Sequence, residues 1–185
     1  VMEIGYNYLT ADILVDVANP YLAELNQITG ETVNLTEPDG LDMVFVSRFV
    51  APKFIPIHMP IGSRIPMYCS GGGRAYLSGL TDDEVHSVLQ ASELVELTRY
   101  TLTDASAIFE RVQISRKQGY ATNKEEMFLG DMTIAAPIFN SHGLPVAAVH
   151  VVVPSSRWVM QDAEDKVAST VIQCARGISN SIRTL

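Results

Sequence analysis

Met132-Thr133-Ile134-Ala135-Ala136-Pro137-Ile138-Phe139, then Asn140-Ser141-His142-Gly143, then Leu144-Pro145-Val146-Ala147-Ala148-Val149-His150-Val151-Val152-Val153 reads as a β-hairpin. Two apolar, β-rich runs flank four residues of the kinds that accept tight turns. A second hairpin is predicted upstream, where Glu31 to Glu37 and Leu41 to Phe49 flank the turn tripeptide Pro38-Asp39-Gly40. Lys53 to Ile57 reads as a further strand. Helices precede, separate and follow these strands. Asn19 and Pro20 have the types of an N-cap and a first-turn residue, opening a helix that carries Leu22, Leu25 and Ile28 and closes at Gly30. Thr81-Asp82-Asp83-Glu84 is a capping-box signature, with Val85, Val88 and Leu89 turned inward. Its three acids read as cap and dipole residues. Asp104 to Gln118 repeats the helical pattern through Ile108, Val112 and Ser115 and ends at Gly119. From about Gln161 to Arg183, Val167, Val171, Cys174, Ile178 and Ile182 recur at helical spacing. Strands that arrive in hairpins, with helices around them, predict an α+β fold: an antiparallel β-sheet flanked by helices in a single domain.

Composition fits that reading. A chain of 185 residues buries about 70% of its unfolded surface, enough for a core that needs neither metal nor disulfide. The two cysteines, Cys69 and Cys174, have no paired spacing, which predicts a reducing, cytoplasmic setting. No apolar run reaches the roughly 18 residues of a membrane span. With a net charge of −8, the chain should be repelled by nucleic-acid phosphates, so DNA binding by these residues alone is not expected.

The chemistry-bearing stretch is Ser70-Gly71-Gly72-Gly73-Arg74-Ala75, a loop that feeds a helix. Consecutive glycines there serve either a tight turn under a closely packed helix or an anion cradle made of unpaired helix-start amides. Walker and dinucleotide-loop spacings are both absent. Alternation along the last strand puts Val146, Ala148, His150 and Val152 on one face and Ala147, Val149, Val151 and Val153 on the other. Thr133, Ala135, Pro137 and Phe139 alternate likewise with Ile134, Ala136 and Ile138. His150 and Thr133 are thus polar groups in apolar runs, each in need of a partner. Residue type alone leaves His150 open between a core histidine and a ligand contact.

Gly119-Tyr120-Ala121-Thr122-Asn123-Lys124-Glu125-Glu126 and Gly130-Asp131-Met132-Thr133-Ile134-Ala135-Ala136-Pro137 bear on that choice. Together with Gly30-Glu31-Thr32-Val33-Asn34-Leu35, the Arg64-to-Ala75 loop and the strand ending at Pro154, they resemble the effector-binding domain of the IclR family of bacterial transcriptional regulators. The resemblance spans nearly the whole chain. It implies a GAF-like fold, no cofactor and no chemistry, and association into dimers or tetramers. It also implies that Val1 to Gly5 end the wing of a DNA-binding domain and Tyr6 to Ala18 form the linker helix, giving residues 1–18 as linker and 19–185 as effector domain. DNA would be reached only through a winged helix N-terminal to this chain. Carried across position by position, the effector's amide cradle falls on Gly71 and Gly72, and its side-chain contacts on Asn123, Thr133, His150 and Val152. Apolar lining falls on Phe54, Ile57 and Ile65. Neutral Asn123, bulky His150 and apolar Val152 depart from the acid, cysteine and small hydroxyls of relatives that bind short keto acids. Asp131 stands where an apolar residue is usual; it meets a ligand hydroxyl or amine, or pairs with Lys124 or Arg116. The implied effector is a small organic acid, its carboxylate held by the amides and a protonated His150, its body aliphatic or aromatic.

Two other classes compete. A GAF-like nucleotide or chromophore sensor would need a phosphate cluster or a ligating cysteine, and only Arg64 and Arg74 are near. A small hydrolase would use Cys69 or Ser70 with His58 or His150, but no nucleophile signature supports it. His58, His86, His142 and His150 lack metal-ligand spacing.

Overall fold

The computed structural model describes residues 2–51 and 59–183, with side chains from residue 13 onward. In order the elements are α1 (Met2–Thr29), β1 (Thr32–Asp39), β2 (Asp42–Phe49), β3 (Arg64–Pro66), α2 (Gly71–Ser78), α3 (Asp82–Ala91), α4 (Ala105–Gln118), β4 (Ala121–Lys124), β5 (Asp131–Phe139), β6 (Pro145–Pro154) and α5 (Met160–Ile182). One six-stranded sheet runs β3-β2-β1-β6-β5-β4, and its pairs are antiparallel. Both predicted hairpins form. The strand expected over Lys53–Ile57 lies outside the described residues.

The sheet separates two cores. Ala147, Val149, Val151 and Val153 pack with Ile134, Ala136 and Ile138 against α1 and α5. On the other face Phe45, Ala135 and Ala148 meet Ala75 and Leu77 of α2 and Ile108 and Val112 of α4. Period-two reading thus separates the faces, with one exception. Val146 packs against the α1/α5 core, close to a register shift between Ile138 and Phe139.

Three helix signals behave as written. Thr81 and Glu84 form the reciprocal capping box, Asp104 caps α4 through the Ala107 amide, and Gly119 ends it at φ 85 in the left-handed region. The start of the chain differs from expectation. Residues 2–5 are helical, not the end of a wing strand, and α1 runs unbroken through Pro20. Proline in a helix interior removes one hydrogen bond and costs about 3 kcal/mol, which burial of Ala18, Leu22 and Leu25 around it offsets. Asn19 therefore caps nothing; its Oδ1 accepts from the Ser47 hydroxyl at 2.7 Å. Ile28, read together with Leu22 and Leu25, is 62% exposed in the last turn while those two are buried.

Candidate functional site

Helix α2 begins hard against the sheet. Ser70 is its N-cap: its Oγ accepts from the Gly73 amide at 3.2 Å and donates to the Pro66 carbonyl at 2.7 Å. With that amide taken, those of Gly71 and Gly72 start the helix without an intrahelical acceptor. A Cβ on Gly71 would lie 2.6 Å from Thr133 Cγ2, and one on Gly72 would lie 2.8 Å from Thr36 Oγ1 and 3.1 Å from His150 Nδ1. Absence of side chains lets α2 approach the strands, and the approach brings its unpaired amides to the cavity. A Gly72→Val substitution would consequently disturb packing as well as block the amides.

Behind Gly73, Arg74 is buried and holds Glu126 through its two terminal guanidinium nitrogens, at 2.6 and 2.7 Å. Glu126 also accepts from the Leu102 amide at 3.2 Å, and Arg74 donates to the Tyr68 carbonyl at 3.1 Å. The pair fixes α2 to the turn after β4.

Between α2 and the sheet lies a cavity of about 60 Å³. Gly71, Gly72, Asn123, Thr133, His150 and Val152 all line it, as do Ile65 and Asp131. Phe54 and Ile57 lie outside the described residues. Asn123 contributes wall more than free polarity, because its Nδ2 donates to the Cys69 carbonyl at 2.8 Å and its Oδ1 accepts from the Glu126 amide at 3.3 Å.

Sequence reasoning missed Asn34, Phe45 and Arg48 from the first hairpin and Met127 and Phe128 after β4. Strand register explains the first three. Asn34 stands opposite Arg48 on one side and opposite His150 on the other, making a row of cation, amide and imidazole across β2, β1 and β6. A bulge between Leu35 and Thr36 skips Val46. Simple alternation would separate Phe45 from Arg48; the bulge brings both to the cavity. The register signal in the sequence is no more than the polar Asn34 within an otherwise β-rich run.

Electrostatics revise two expectations. His150 is 3% exposed, sits edge-on to Phe45 with ring centroids 5.7 Å apart, and its Nδ1 has no hydrogen-bond partner. Burial, and secondarily the positive charge of Arg48, push its pKa down to about 3. The imidazole is neutral near pH 7, so it cannot be the cation holding a carboxylate. Arg48 is the cation that lines the cavity; its Nη1 donates to the Met59 carbonyl at 2.6 Å. Asp131 is pushed up to about 6 by burial, with Arg48 opposing and Glu125 adding to the rise. Its charge partner is Arg48, not Arg116 or Lys124. Arg116 instead holds Asp82 at 2.6 Å and the carbonyls of Ser78 and Leu80.

The two shifts act on stability in opposite directions. His150, with its pKa depressed when folded, contributes stability above about 6.5 that is lost as pH falls. Asp131, with its pKa raised, contributes below about 4 and loses that contribution as pH rises through 6. Above pH 6 its desolvated carboxylate opposes folding. Asp131→Asn should therefore raise the urea midpoint at pH 7.5, with the difference narrowing at pH 5. An unchanged midpoint at pH 7.5 would contradict the shift.

Cys69, the nucleophile of the hydrolase alternative, is buried, and its thiol is pushed up to about 11 chiefly by desolvation. A thiol held so far from ionisation is inert. His58 lies outside the described residues. Ser70 serves as the α2 cap, and no group of three or more His, Cys, Asp or Glu able to hold a metal occurs among the described residues.

An antiparallel sheet between helical layers, with a cavity under a glycine-started helix, defines a GAF-like sensor domain. The chain belongs to the family described as bacterial transcriptional regulator IclR C-terminal, which it matches over residues 6–180, and it is the effector-binding domain of such a regulator. It is 31% identical over 182 residues to the HTH-type transcriptional repressor AllR of Escherichia coli K12, covering 98% of this chain and 67% of AllR. The Thermotoga maritima IclR structure aligns with a TM-score of 0.89 at 26% identity, over 98% of this chain and 74% of that one. The inducer-binding domain of the Acinetobacter PobR transcription factor, a double mutant in complex with 3-hydroxybenzoic acid, aligns with a TM-score of 0.82 at 28% identity. That alignment covers 90% of this chain and 98% of the PobR domain.

Proposed function

We propose that this domain senses a small organic acid and passes its occupancy through α1 to a winged-helix DNA-binding domain, with self-association into a dimer or tetramer. It performs no catalysis. The observation that carries the reading is the convergence of Arg48 and the Gly71 and Gly72 amides on one cavity beside a neutral imidazole. A helix N-terminus contributes about 0.3–1 kcal/mol to an anion, more where water is excluded, and a guanidinium adds a charge-assisted bond. PobR, whose inducer-binding domain is seen with a hydroxybenzoic acid, supports an acid as the ligand class. At about 60 Å³ the cavity is smaller than the ~150 Å³ that takes a benzene ring. A short aliphatic acid enters as the walls stand; an aromatic acid requires them to yield.

Regulation requires the acid to bind two arrangements of helices or subunits unequally, with a coupling of about 1–3 kcal/mol. Direct binding is tested by thermal denaturation with carboxylic acids beside their amides and matched amines. At a concentration of about 100 Kd the folded state gains about 2.7 kcal/mol, which for a domain of this size is a rise of about 5–10 °C. Acids should give that rise and amides should not. The shift should shrink as pH rises through about 6, where Asp131 gains a charge that repels the ligand and competes for Arg48. Of the groups facing Asp131, Arg48 and Glu125 stay charged across this range, while His150 stays neutral. Asp131→Asn should remove the pH dependence. Amides or amines stabilising as well as acids would overturn the acid reading.

A further inference from the structure

We propose that the cavity selects a 2-hydroxy acid, with its carboxylate on the Gly71 and Gly72 amides and its hydroxyl between Asn34 Oδ1 and His150 Nδ1. The inference rests on the acid-binding reading above and narrows it. Asn34 is 2% exposed and His150 3%, both line the cavity, and Asn34 Oδ1 and His150 Nδ1 are buried polar atoms without a partner. Orphaned polar atoms of this kind are rare in folded proteins and call for an explanation. Two of them on directly paired residues that both line one cavity mark a place built for a polar group.

Their chemistry says which group. An amide oxygen only accepts, so the ligand must bring a donor there. A carboxylate or ketone oxygen brings none. A neutral imidazole offers one N–H and one lone pair. A hydroxyl fits both, giving its hydrogen to Asn34 Oδ1 and accepting from His150 Nδ1–H. An ammonium could also donate, but it would lie beside the positive end of α2 and in the field of Arg48.

Position says where on the ligand it sits. The Cβ that Gly72 lacks would be 3.1 Å from His150 Nδ1, so amide cradle and imidazole are immediate neighbours. A carboxylate on the one and a hydroxyl on the other fit neighbouring carbons of a short chain. A ring with the two groups at opposite ends would be too long.

Propionate, lactate, pyruvate and alanine differ only at carbon 2, carrying hydrogen, hydroxyl, oxo and ammonium. Calorimetric titration of these four at pH 7.5, and of phenylacetate beside mandelate, tests the assignment. Lactate should bind at least about tenfold tighter than propionate and pyruvate, the size of one buried hydrogen bond that would otherwise go unmade. Asn34→Leu should remove the preference, so that lactate binds no tighter than propionate to the same variant. If that variant does not fold, the ranking by the wild-type protein decides alone. Equal binding of each acid and its 2-hydroxy partner, or pyruvate ahead of lactate, would overturn the hydroxyl assignment and leave the acid reading intact. Alanine ahead of lactate would overturn it in favour of an ammonium at Asn34. Failure of every acid in both this series and the thermal screen would remove the acid reading itself.

Discussion

Glu126→Ala is expected to destabilise the domain by about 3–5 kcal/mol, the cost of leaving one member of a buried ion pair alone. Arg74 is 1% exposed, and its two terminal nitrogens hold both carboxylate oxygens of Glu126. Without Glu126 the guanidinium keeps only the carbonyls of Tyr68 and, at 3.4 Å, Thr122, and the Leu102 amide loses its acceptor. The result should be read by urea unfolding. Replacing both residues by leucine should cost less than Glu126→Ala alone, since most of the penalty is an unpaired charge and not a lost attraction. A single variant within 1 kcal/mol of wild type would mean that the pair is solvated. The pair also bears on function. It anchors α2 to the chain that carries Asn123, so a folded Glu126 variant should bind acids more weakly although Glu126 does not line the cavity.

Local signals in the sequence were reliable wherever the decision is itself local. The capping box at Thr81, the left-handed Gly119 and the Asp104 cap act within one turn of backbone, so residue type suffices. Pro20 misleads for the opposite reason. Its local preference for a helix start is outweighed by burial of Ala18, Leu22 and Leu25, which only the packed sheet supplies. At the cavity, Gly71, Gly72, Thr133 and His150 could be singled out because glycine runs and polar residues in apolar strands are visible one strand at a time. Arg48 and Asn34 could not. They join His150 through the pairing of β1 with both β2 and β6 and through a bulge, and pairing is a relation between distant segments. The protonated His150 failed for the same reason, since the charge state follows from depth of burial and from an Arg48 not known to be near.

Gly73→Ala is expected to lower the melting temperature by about 6–12 °C, which corresponds to a loss of about 3 kcal/mol. By helix propensity alone the change would be favourable by about 1 kcal/mol. Packing reverses the sign. The new Cβ would stand 2.3 Å from Met67 Cα, 2.4 Å from its carbonyl oxygen and 2.7 Å from its carbonyl carbon. Those are backbone atoms, so no rotamer change relieves the clash, and either α2 or the segment after β3 must move. Movement of α2 strains the Ser70 cap and the Arg74–Glu126 pair, which hold its first turn. It also displaces Gly71 from Thr133 and Gly72 from His150, so the folded remainder should lose acid binding as well as stability. Calorimetric unfolding and acid titration of the same variant read both effects. A Gly73→Ala protein that melts with wild type would mean that α2 shifts freely, and the cavity beneath it would then be too compliant to select a ligand by the placement of two amides.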